Sequence, residues 1–147
     1  MSAFVYYQPN DKDKEDWYDD CVVRALTKIF NATWLQIFDA LAIIARRKQC
    51  PLNSMPCYNE LLVEHGFRYV ELQSYLKEER RQSLYKPITL REFVRKYPKG
   101  TFFVELNRHC VAVKDGKYYD VWDSGAKQVY GYWKQMDSFL LKYTKGG

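Results

Sequence analysis

Apolar residues recur at three- and four-residue spacing from Asp19 to about Phe30, where Val22, Ala25, Leu26 and Ile29 line one side. This predicts an amphipathic helix capped by Asp19 or Asp20. A second helix is predicted from Thr33 to Arg47, with Trp34, Ile37, Phe38, Leu41 and Ile44 or Ala45 as its stripe and Arg46, Arg47 and Lys48 at the negative end of its dipole. A third runs from about Ser54 to His65, where Leu61, Leu62 and Val63 are apolar and Gly66 supplies a left-handed stop. His65 is read there as a helix-terminal residue. The period then shortens: "FRYVELQ", residues 67 to 73, alternates as a short strand does. Residues 74 to 87 have no clear period and are expected to form an irregular excursion.

Thr89 followed three residues later by Glu92 is the capping-box spacing of a short helix, which Pro98 and Gly100 terminate. Beyond it, "TFFVELN", "RHCVAVKDGKYYDVWDS" and "QVYGYWK" are β-branched and aromatic runs broken by turn residues, with Asp115-Gly116 as a hairpin signal. An antiparallel meander and a short terminal helix at Met136 to Lys142 are expected. Helices first (about 17–66) and sheet second (about 100–135) make an α+β plan in one domain, for which 147 residues and 47% hydrophobic content suffice.

Charge narrows the possible partners. The 23 basic and 18 acidic residues are mixed along the chain, so the net +5 lacks the concentrated basic arm of a dedicated nucleic-acid binder. No obligate nucleic acid is therefore expected. No apolar run approaches the roughly 18 residues of a membrane span, and "MSAFVYYQPNDKDKED" lacks a signal-peptide pattern, so no membrane association and a cytoplasmic location are expected. In that compartment Cys21, Cys50, Cys57 and Cys110 do not suggest a disulfide framework. The spacing of Cys50 and Cys57 exceeds the usual zinc-ligand gap, and neither metal nor cofactor is expected.

Candidate chemistry begins with "DDCVVRAL", which puts Cys21 in the first turn of a helix, where the dipole favours a thiolate. The adjacent carboxylates oppose that effect, so a cationic partner is needed. Arg24 is placed to pair with Asp20 or Asp19 and neutralise them. His109, in "RHCVAV", is the better placed of the two histidines. Pairing across the Asp115-Gly116 turn sets it opposite Trp122, and a one-residue bulge would bring Asp123 opposite instead. Asp123 is the expected third residue and Asp120 the alternative. Cys110 alternates to the other face and is read as core. Cys21 would attack a carbonyl, His109 would carry the proton, and Asp123 would orient the imidazole.

In this order, "DDCVVRAL", "RHCVAV" and "YYDVWDS" resemble a compact papain-like cysteine peptidase, with Asp123-Ser124 where that superfamily has its third residue after the histidine hairpin. More narrowly, the motifs are similar to those of small uncharacterised bacterial and phage proteins. The resemblance implies a papain-like fold and a thiol hydrolase or acyltransferase acting on a protein or peptide substrate through a thioester. It also implies an oxyanion glutamine several residues before the cysteine; Glu15 stands six positions upstream, and Gln8, thirteen upstream, is the candidate, with Trp17 and Asn10 as further donors. A non-catalytic interaction protein on the same fold is the alternative. Substrate and oligomeric state stay open.

Overall fold

The computed structural model, which describes residues 2–73 and 87–136, shows helices where an apolar stripe meets a stop signal. Helix α1 (Cys21–Phe30) ends at Asn31 and α2 (Trp34–Lys48) at Gln49, both left-handed C-caps. Thr33 caps α2 with a reciprocal bond to Gln36. Helix α3 (Met55–Glu64) has Pro56 in its first turn, where the ring removes an N–H that would be unpaired anyway. Helix α4 (Leu90–Lys96) starts on the expected Thr89 and Glu92 capping box. Phe38, expected in the buried stripe of α2, is 38% exposed, and the helix buries only Ile37, Leu41 and Ile44.

Six strands, β1 (Phe4–Tyr6), β2 (Phe67–Glu71), β3 (Thr101–Leu106), β4 (His109–Lys114), β5 (Lys117–Asp120) and β6 (Val129–Gln135), form one sheet in the order β1-β5-β4-β3-β6-β2. The sheet is mixed, not purely antiparallel as expected: β1 pairs in parallel with β5 at one edge. Three residues carry too little alternation to announce a strand, so β1 escapes a periodicity reading. The expected terminal helix, beyond Met136, and the excursion at 74–86 lie outside the described residues. Among the described residues no single helix is long and apolar enough to cross a membrane.

Strand alternation builds two cores. Phe103, Ala112 and Trp133 face α1, α2 and α3, whereas Phe102, Val104, Val111 and Val113 face Leu90, Phe93 and Val94 of α4. Asp115 and Gly116, both at positive φ, make the tight turn between β4 and β5 and fix their register at Lys114 opposite Lys117.

One buried carboxylate lies on the α1 face of this sheet. Glu105 is 1% exposed and accepts the Tyr58 hydroxyl at 2.6 Å, and the Tyr69 hydroxyl reaches it across Gly131, its register partner on β6. A Cβ at Gly131 would lie 2.3 Å from that hydroxyl oxygen and 2.7 Å from the ring carbon bearing it. Gly131→Ala should therefore displace Tyr69 and destabilise the fold by about 1–3 kcal/mol. Urea unfolding would measure the loss, and it should largely disappear in a Tyr69→Ala background, where no ring remains to be displaced.

Candidate active site

The approach to α1 is organised by Asp13, whose buried carboxylate accepts the backbone N–H groups of Trp17 at 2.8 Å and Tyr18 at 3.0 Å. Asp20 then occupies the N-cap position, yet its carboxylate does not cap the helix. It accepts from Trp34 Nε1 at 2.8 Å and pairs with Arg24 one turn on. The first-turn N–H groups of α1 thus keep their partial positive charge free of a side-chain cap, beside Cys21.

Arg24 is itself buried and extends beyond Asp20, with Nη2 3.4 Å from Asp120 Oδ1 at the end of β5. Asp120 is bound from several directions. Its Oδ2 lies 2.6 Å from His109 Nε2 and accepts Ser124 Oγ at 2.8 Å, while its Oδ1 accepts Val121 N–H at 2.8 Å. The side chains of His109 and Asp120 are 8% and 2% exposed, so their bond is shielded from water. Trp122, 43% exposed, covers the imidazole with ring centroids 5.0 Å apart.

Asp123, expected as the third residue, does not meet His109. It accepts from Tyr118 OH and from Gly125 N–H at 3.0 Å, and pairs with Arg91 at 3.2 Å. Strand geometry explains the difference. The observed register pairs Ala112 with Tyr119 and Lys114 with Lys117, so its continuation sets His109 opposite Trp122. Asp120 lies two residues before Trp122 and shares its face, whereas Asp123 alternates to the other side. No bulge is needed to bring Asp120 to the imidazole by a diagonal contact.

With Nε2 on Asp120, Nδ1 is the ring nitrogen left for a further partner, and Cys21 lines the same cleft as the imidazole. Burial opposes protonation of His109, but the carboxylate of Asp120 and the sulfur of Cys21 favour the cation and raise its pKa to about 9. The largest influence on Cys21 is a hydrogen bond with the Cys110 side chain, which favours the thiolate. Burial works against this, and the hydrogen bond and charge of His109 add to it, bringing the pKa to about 5. Cys110 is pushed well above its ordinary value and remains a protonated donor. Both shifts run in the direction that favours a thiolate and an imidazolium over the neutral pair.

Cys21, His109 and Cys110 line a cleft of about 570 Å³. One wall is Asn53, Ser54 and Met55 at the start of α3, and the other is the Asn107-Arg108 turn between β3 and β4. Gln8 contributes nothing to the cleft lining. Its amide nitrogen donates to Asp16 at 2.9 Å and Asp13 at 3.4 Å, while its oxygen accepts Asn10 N–H. Asn10 in turn accepts Lys12 N–H within the same loop, and Trp17 is 82% exposed. The residues offered upstream as oxyanion donors are thus engaged or directed elsewhere, whereas α1 brings its uncapped first turn to the cleft at Cys21. Glu15 is exposed on the surface. His65 accordingly sits at the end of α3, with Nδ1 2.8 Å from the Leu61 carbonyl and its ring against Phe30. Among the described residues no three His, Cys, Asp or Glu side chains converge to hold a metal.

Sequence reasoning missed the Cys110 contact, Ser124 as a donor to Asp120, and the reach of Arg24 to β5. The signal for Cys110 was present: the face opposite His109 is the face on which α1 lies. The choice between the two aspartates is measurable on the His109 ring, one of only two histidines. An NMR titration should give a pKa of about 9 in the wild type and in Asp123→Asn, and a clearly lower value in Asp120→Asn, where the facing negative charge is gone.

Comparison with protein-family models, curated proteins and solved structures finds no match to this chain. The chemistry of the cleft is accordingly read from its own distances and charges.

Proposed function

We propose that this protein is a papain-like cysteine peptidase or a related thiol hydrolase or acyltransferase. Cys21 is its nucleophile, His109 its acid and base, and Asp120 the group that orients the imidazole. The observation that carries this reading is the buried Asp120–His109 bond in a cleft that Cys21 lines from an uncapped helix N-terminus. Cys21 attacks a substrate carbonyl from the cleft, and the first-turn N–H groups of α1 face the oxygen that becomes negative. The His109 imidazolium gives its proton to the leaving amine, which departs as a thioester forms. The neutral imidazole then takes a proton from water, hydroxide attacks the thioester carbonyl, and the thiolate is released. Another amine in place of water would make the same site an acyltransferase. The substrate class proposed is a protein or peptide, whose carbonyl would enter the cleft of about 570 Å³ beside Cys21 and His109.

The two proton equilibria define the working range. Below about pH 5 Cys21 gains a proton and loses nucleophilicity, and above about pH 9 His109 loses the proton it must donate, so the rate should form a plateau between these limits. Iodoacetamide tests the nucleophile without a known substrate. At about pH 6 a thiol of pKa about 5 is mostly thiolate, and one of about 8.5 is so to less than about 1%; the lower basicity returns part of the gain, leaving Cys21 roughly tenfold faster than an ordinary cysteine. Peptide mass spectrometry should show Cys21 alkylated first at this pH, with the advantage much reduced in His109→Ala. If Cys21 reacts no faster than Cys50 in either protein, the chain is instead a non-catalytic interaction protein of this fold.

A further inference from the structure

Hydrolysis breaks and makes bonds at the sulfur of Cys21 and none at the neighbouring thiol of Cys110. Cys110 is the second residue of β4, on the strand face that carries α1, and it lines the same cleft as Cys21. Both cysteines pack against one core patch and open into the same cleft as His109, the residue adjacent to Cys110. Cys110 and His109 both favour the thiolate of Cys21. One cleft therefore holds the Cys21 sulfur, a proton donor and a second thiol.

We propose that Cys21 and Cys110 form a peroxide-reactive dithiol centre, in which a hydroperoxide oxidises Cys21 and Cys110 then closes on it as a disulfide. The Cys21 thiolate donates an electron pair to the terminal peroxide oxygen and the O–O bond breaks. The alkoxide, or hydroxide from hydrogen peroxide itself, takes the His109 proton and leaves as alcohol or water. The Cys110 sulfur attacks the resulting Cys21 sulfenic acid; the S–O bond breaks and the departing hydroxide carries off the Cys110 proton as water. Two thiols and one peroxide thus give one disulfide, one alcohol and one water. Exchange with an external dithiol restores both thiols. The closed form has no nucleophile, and it protects Cys21 from passing on to the sulfinic acid, which thiols do not reverse.

The chain contains its own control. Cys50 and Cys57 are a second pair of thiols, but burial raises Cys57 to about 11 and neither residue lines the cleft that holds His109.

The proposal rests on Cys21 being the thiolate of the proposed active site, though not on its being a hydrolase. Reduced protein is treated near neutral pH with a small molar excess of hydrogen peroxide. Free thiols are then blocked with N-ethylmaleimide and peptides are read without reduction. The expected product is a Cys21–Cys110 linked peptide pair, with Cys50 and Cys57 still free and both linked thiols recovered by dithiothreitol. In Cys110→Ala, Cys21 should instead be captured by dimedone as sulfenic acid and proceed to sulfinic acid that dithiothreitol does not reverse. Sulfinic acid at Cys21 in the wild type without a linked pair overturns the proposal, as does a Cys50–Cys57 link forming first. Fast alkylation of Cys21 near pH 6 with no linked pair overturns the dithiol centre alone. Slow alkylation overturns the thiolate on which both readings stand.

Discussion

Arg24 holds the structure to its chemistry. Its guanidinium is buried between Asp20, at the start of α1, and Asp120, at the end of β5. One cation thereby joins the element that presents the sulfur to the element that orients the imidazole. Removing one partner from a buried ion pair typically costs about 3–5 kcal/mol, because the remaining charge is left in a low dielectric. Here two carboxylates would be left. The same cation removes a conflict: Asp20 beside Cys21 would disfavour a thiolate, but its charge is turned toward Arg24 and Trp34.

The order of layers follows from this tie. Helix α1 lies along β4 because Val22, Ala25, Leu26 and Ile29 pack onto Ala112 and Phe103, and that contact sets Cys21 beside His109 and Cys110. Strand β1 supports the arrangement from the sheet edge. Its parallel pairing brings Tyr6 to Asp120, and the Tyr7 N–H donates to the Asp120 carbonyl at 2.8 Å. The backbone carrying the orienting carboxylate is thus fastened on both sides, by β4 and by the N-terminal strand.

What the sequence made legible is what depends on local period. The four helices before the meander, the hairpin, the Thr89–Glu92 capping box and the α+β plan are encoded within windows of a few turns, and they form within a residue or two of their expected bounds. The place of Cys21 in the first turn of α1 and the strand register were readable for the same reason. The third residue was not, because the expectation gave a bulge to a strand whose alternation already placed Asp120 on the correct side. The oxyanion donor was misplaced for a different reason. Gln8 looks available in one dimension, and only the folded loop shows that Asp13 and Asp16 already occupy it. Arg24 and Ser124 likewise acquire their roles through partners 96 and 4 residues away, one far beyond and one within a turn that no repeat describes.

The distance along the chain between Cys21 and His109 has a consequence for synthesis. A ribosome makes α1 long before it makes β4 and β5, so the emerging chain carries Cys21 without His109, Cys110 or Asp120. The groups that favour its thiolate are supplied only when the hairpin docks beneath the helix. On the proposed function, the order of translation would keep a reactive cysteine off the unfinished polypeptide.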